Sequence, residues 1–86
     1  MLYYITQVRK DETGEISHIR VHEMGPDGLR AGVPWSRSLI YDYLKQGLEF
    51  VAYNKKTLEK GASLRMDFTT GAEPEAWDHL ENLPGC

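Results

Sequence analysis

A single cysteine, Cys86, stands in the 86 residues. One thiol excludes an intrachain disulfide and a metal site built on several thiolates, and it fits a reducing, cytoplasmic setting. Long apolar runs are missing too, and nothing approaches the roughly 20 residues of a membrane-spanning helix. The start, Met1-Leu2-Tyr3-Tyr4-Ile5, lacks the basic residues and apolar core of a secretory leader and reads as a strand. Positive charge is in deficit, with ten Lys and Arg against thirteen Asp and Glu for a net charge of −3. A nucleic-acid binder displaces counterions with a basic stripe. Here only Arg9-Lys10 and Lys55-Lys56 are adjacent cations, both in expected turns, where lysine pairs serve solubility. That pattern argues against a nucleic-acid partner. Walker, dinucleotide-fold and His-Glu-x-x-His signatures are absent, so no cofactor is implied.

What is present is a chain of 9.8 kDa, 41% hydrophobic and 27% charged, the composition of one small domain over residues 1–86. A chain this short buries only about 60–65% of the surface its unfolded form exposes, which leaves room for one core. The charge is split. All ten cations lie in residues 1–72 beside nine acids, while Glu73, Glu75, Asp78 and Glu81 make the tail purely acidic.

Residues 2–23 read as a hairpin. Leu2 to Val8 is aromatic and β-branched, with Leu2, Tyr4 and Val8 on one face and Tyr3 and Ile5 on the other. Gly14 supplies a positive φ for the turn, and the second strand runs from Ile16 to about Glu23. In it Ile19 and Val21 are apolar, and His18, Arg20 and His22 form an exposed polar row. Residues 24–35, with three glycines and two prolines between Gly25 and Pro34, read as an irregular loop. A helix over 36–47 follows, N-capped by Ser36, with Leu39, Ile40, Tyr43 and Leu44 on one face and Gly47 closing it. Strands are expected over 48–54 and 62–69. The second alternates Ala62, Leu64, Met66 and Phe68 with polar residues. Pro74 opens a short helix in the acidic tail 72–86, where Trp77 and Leu80 share a face. The expected class is α+β: a small antiparallel sheet of four or five strands packed on one α-helix, in the order ββαββ. A short C-terminal helix or tail covers the sheet.

Several of these residues resemble a known family. They are Tyr4-Ile5-Thr6-x-Val8, the strand of Ile16, Ile19 and Val21, Trp35 ahead of the helix, Gly47 after it, and Asp78-His79-Leu80-Glu81-Asn82-Leu83-Pro84. Together they resemble the small bacterial and phage family known as domain of unknown function 3892. His79 stands where that family usually has asparagine, and the Gly25–Pro34 and Asn54–Gly61 segments depart from its pattern. The resemblance implies a compact prokaryotic or phage domain and brings no activity with it.

Few constellations carry chemistry. His18 and His22 on a strand lie roughly 13 Å apart at about 3.3 Å per residue, too far for one ion with bonds of about 2 Å, so no metal is expected. Asp78 and His79 are adjacent and do not face each other on a helix, and no nucleophile accompanies them. Glu12-Thr13-Gly14-Glu15 matches a tetrapeptide that kelch-type adaptors read, and a hairpin turn explains the same residues. The expected function is a non-catalytic binding module whose partner is a protein or a second copy of itself. His18, Arg20, His22, Trp77 and Asp78 are its candidate contacts. The alternative is a sponge or sensor for a small anionic, nucleotide-like ligand, held by Arg30, Trp35, Ser36 and Arg37 around the Gly25–Pro34 loop and the helix start.

Overall fold

A computed structural model describes residues 2–85, so Cys86 lies outside the described residues. The strands are β1 (Leu2–Lys10), β2 (Ile16–His22), β3 (Met24–Gly25), β4 (Gly28–Leu29), β5 (Val33–Ser36), β6 (Glu49–Asn54) and β7 (Glu59–Ser63). One helix, α1 (Arg37–Lys45), lies between β5 and β6, and a 3₁₀ turn covers Leu80–Asn82. The class is α+β, mostly sheet. Five strands form one sheet in the order β5-β2-β1-β6-β7, and β3 and β4 form a separate two-residue hairpin.

The sheet is mixed rather than antiparallel. β1 and β6 run parallel from Leu2↔Glu49 to Ile5↔Ala52. A parallel pair needs a crossover, and α1 lies within the one that connects them. The expected loop over 24–35 also gains structure, because its end is strand β5, paired with β2 through Arg20↔Pro34. Proline is tolerated there because β5 is an edge strand, where a missing donor breaks no ladder on the outer side.

Strand 62–69 is not formed. The strand lies earlier, at Glu59–Ser63, in a hairpin with β6. Asn54 Oδ1 accepts from Lys56 N at 2.9 Å and Thr57 N at 3.2 Å, turning the chain at once, with Leu58 at φ 62°. Local turn chemistry also overrides the alternation after Ser63. Asp67 accepts from the Thr69 hydroxyl at 2.7 Å and the Thr69 N–H at 3.2 Å, and Phe68 takes φ 61°. Leu64 is buried while Met66 is exposed. The expected tail helix is likewise a set of turns ending in the 3₁₀ segment.

Two bulges decide which residues reach the core. Between Ile5↔Val21 and Gln7↔Arg20 the register skips Thr6, and between Arg9↔His18 and Lys10↔Ile16 it skips Ser17. Each extra residue resets the two-residue alternation. Ile5 and Val8 therefore share one face, as do Ile16 and Ile19, where strict alternation would separate each pair. All four belong to one core with Val21, Ile40, Phe50, Ala52, Leu64, Leu80 and Leu83. The expected grouping of Val8 with Tyr4, away from Ile5, is corrected by the bulge at Thr6.

Ser36 caps α1 by accepting from Leu39 N at 3.3 Å, and Gly47 at φ 91° follows the helix. Ile40 is fully buried and Tyr43 and Leu44 pack against the core, while Leu39 stays exposed. Trp35 sits in an aromatic cluster with Tyr3 at 5.1 Å, Tyr43 at 5.2 Å and Phe50 at 6.2 Å between ring centroids. The tail completes this layer, burying Leu80 and Leu83 and packing Trp77 on the core. Two buried leucines are worth about 1.5–3 kcal/mol each.

Candidate functional site

Residues that alternate with the core residues face away from α1. On that side β1 presents Tyr4, Thr6 and Gln7, and β2 presents Arg20 and His22. β6 presents Tyr53, opposite Lys60 of β7. The Tyr4 and Tyr53 rings meet edge-on at 5.2 Å, and the Lys60 ammonium sits 5.6 Å from the Tyr4 ring.

His22 is not part of an exposed row: it is buried. Its Nδ1 lies 2.8 Å from the Arg30 carbonyl, which can only accept, so Nδ1 carries the proton. With the ring neutral, Nε2 then accepts from the Thr6 hydroxyl at 2.7 Å. Both ring nitrogens are thus engaged. The segment 30–32 lies against this face, because Gly32 allows it. A Cβ there would come within 2.5 Å of His22 Cε1 and 2.7 Å of Arg20 Cγ. Arg20 Nη1 donates to the Gly32 carbonyl at 3.0 Å, and its buried Nε has no partner.

Two clefts open on this face. A smaller one of about 290 Å³ holds Arg20, His22, Arg30 and Gly32. A larger one of about 520 Å³ is walled by Tyr53, Lys56 and Asn54 on one side and by Trp77, Asn82, Leu83 and Pro84 on the other. Gln7 and Lys55 line both, so the two form one groove. The larger cleft exists because β1 and β6 part company after Ile5 and Ala52. Val8 N then donates instead to the Pro84 carbonyl at 2.9 Å, which brings the tail against β1.

The groove is electropositive. Arg20, Arg30, Lys55 and Lys56 line it, and neither cleft has an acidic residue in its described lining, while Glu23 lines an adjoining cleft that shares His22 and Arg30. Among the described residues the ion pair within 4.0 Å is Lys10 with Glu81, elsewhere, so these four cations have no carboxylate partner. A basic surface therefore sits on a chain whose net charge is −3.

The residues singled out from sequence are distributed differently from expectation. Arg30, Arg20, His22 and Trp77, drawn from two separate candidate sets, come together around this groove. Arg37 does not join Arg30. Its guanidinium lies 4.6 Å from the Phe68 ring, at a separate cleft with Tyr41 and Met66 that shares no lining residue with those at Arg30. The extended strand β5 holds the loop and the helix start apart, so no single anion site spans both. Ser36 is occupied as a cap, and Trp35 is packed among aromatic rings. His18 pairs with Ser36 across the sheet, and its Nδ1 lies 3.0 Å from the Ser17 hydroxyl. Asp78 is a fastener: its carboxylate accepts from Ala62 N at 2.8 Å, and its carbonyl accepts from the Thr70 hydroxyl at 2.7 Å. Lys55, Lys56, Gln7, Tyr53 and Asn82 were not candidates. The lysine pair was the available signal, read as a solubility feature because nothing in the sequence shows what the turn faces.

No family model matches the chain, and neither the curated proteins nor the solved structures supply a match.

Proposed function

We propose that this domain is a non-catalytic binding module of prokaryotic or phage type, working in the cytoplasm, that takes an anionic partner in the groove opposite α1. One observation carries the reading: four cations, none within 4.0 Å of a carboxylate among the described residues, line two adjoining clefts that have no acidic residue in their described lining. Like charges gathered this way repel one another, and an anion relieves that. The groove offers binding chemistry, namely cations, amides and aromatic rings, and His22 has no free nitrogen to act as a base. The sheet edges offer less to a second copy. Pro34 gives the β5 edge no donor at that residue, and the Asp78 carboxylate occupies Ala62 N on β7. The described residues contain no helix long and apolar enough to cross a membrane.

Thermal shift with inorganic tripolyphosphate tests the reading. Wild type should melt higher with the anion, and added salt should weaken the effect. The Lys55→Glu/Lys56→Glu double variant should fold, by circular dichroism, and lose the shift. A wild-type protein indifferent to tripolyphosphate at low salt would end the proposal.

A further inference from the structure

The larger cleft is asymmetric in a way that charge alone does not explain. Its lysines stand at the Asn54–Glu59 turn, and across from them lies an apolar wall of Trp77, Leu83 and Pro84. A bare inorganic anion would use the lysines and leave that wall idle. Trp77 is partly buried against the core and also lines the cleft, so it presents an aromatic surface whose position the core fixes.

The amides add the second half of the pattern. Gln7 Nε2 donates to the Gly85 carbonyl at 3.2 Å. Asn82 Nδ2 donates to the Pro74 carbonyl at 2.6 Å and the Ala76 carbonyl at 2.8 Å. Asn82 thus uses both of its N–H donors and Gln7 one of its two, and among the described residues no protein donor reaches Gln7 Oε1 or Asn82 Oδ1. Both side chains are tethered, which lowers the ordering needed when a ligand donates to them. The residues lining the cleft thus carry an indole ring, two tethered amides and two ammonium groups around about 520 Å³, a volume in the usual range for small-ligand sites.

Resting on the anion-binding reading above, we infer that the ligand is a free nucleotide with an amino-bearing base. The base lies on Trp77, as bases do on aromatic platforms. Its amino group carries two N–H donors, one for Gln7 Oε1 and one for Asn82 Oδ1, and its phosphate sits at Lys55 and Lys56. Uracil has no exocyclic amino group, and its single ring N–H on that edge serves one of the two acceptors at most. A strand of nucleic acid is disfavoured, because the tail bearing Asn82 also carries Glu73, Glu75 and Glu81 without a cation.

The test is titration of the full chain with AMP, GMP, CMP, UMP, ribose 5-phosphate, tripolyphosphate and a short single-stranded oligonucleotide, read by tryptophan fluorescence and calorimetry. At least one amino-bearing nucleotide should quench fluorescence and bind ten-fold or more tighter than UMP and ribose 5-phosphate. Trp77→Phe keeps an aromatic ring in the core. It should lose the quench, since Trp35 lies in the aromatic cluster on the other face. Gln7→Leu should narrow the preference over UMP, read as the ratio of the two affinities in the variant against that ratio in wild type. If tripolyphosphate binds and no nucleotide exceeds ribose 5-phosphate, the nucleotide inference falls and the anion reading stands. If neither binds, both fall. An oligonucleotide that binds tighter per site than every mononucleotide would also overturn the inference, in favour of a strand.

Discussion

The two faces of the sheet are made from the same strands and held together by different physics. Toward α1 the contacts are apolar and aromatic, with Ile5, Ile19, Ile40, Phe50 and Ala52 showing no exposed surface. On the other face the buried residues are Tyr4, Thr6, His22 and Tyr53; Thr6 and His22 share a hydrogen bond, and the two tyrosines meet edge to face. Apolar packing tolerates rearrangement at a graded cost, whereas a directed network loses a partner all at once. The first face therefore sets stability, and the second sets the shape of the groove.

Phe50→Ala should give the largest effect. Removing a fully buried Phe costs about 3–5 kcal/mol, against a total on the order of 4–13 kcal/mol for a chain of this length. Urea denaturation should show much of the stability gone. A loss below about 1 kcal/mol would mean that the aromatic cluster does not anchor this face. Trp77 belongs to both faces, packing on the core and walling the groove. Trp77→Ala should lower the urea midpoint by the equivalent of about 1.5–3 kcal/mol, while Glu75→Ala, on the same tail, should scarcely move it. If Trp77→Ala melts like wild type, the tail is not holding the core.

On the polar face, His22→Leu leaves the Thr6 hydroxyl and the Arg30 carbonyl without their partner, at about 1–3 kcal/mol. Adding Thr6→Val should recover part of that loss, because the stranded hydroxyl is removed as well. Strict additivity of the two substitutions in a double-mutant cycle would show that the bond carries no coupling energy. The smallest effect lies at the Asp67–Thr69 turn, beyond the end of β7 at Ser63. The Thr69 hydroxyl, then the Thr69 N–H, hold the Asp67 carboxyl below its ordinary value of 3.8. A carboxyl lowered by folding stabilises above its unfolded pKa, and that contribution fades as pH falls through the lowered value. Thr69→Val should therefore flatten the acid limb of a stability–pH curve slightly, the effect fading where Asp67 is protonated in the folded state as well. An unaltered acid limb would detach Asp67 from the fold.

Much of the apolar face was legible because it follows from periodicity and caps. Ser36 and Gly47 bracket α1, and Ile40, Tyr43 and Leu44 face the core as their spacing requires. Errors arose where one residue changed the count. The bulges at Thr6 and Ser17 reversed the facing of the strand residues beyond them, and no local propensity announces a bulge without glycine. The strand expected at 62–69 failed because Asp67 bonding Thr69 competes with a ladder, and alternation cannot reveal which wins. The groove was the least legible feature. It requires β2, the β6–β7 turn and the tail to meet, and Lys55, Arg20 and Trp77 are related by topology alone.

The tail's seat against β1 bears on the order of folding. Gln7 and Gly85 bond across 78 residues of chain, whereas β1 and β2 close through a five-residue turn. Short closures lose less chain entropy and form earlier, so the β1–β2 hairpin precedes the docking of residues 77–85. Where the folding barrier precedes that docking, a molecule crossing it has its central hairpin and lacks one wall of the larger cleft. A ligand of that cleft will stabilise only the structure that forms after the barrier. It will slow unfolding and leave the rate of folding untouched.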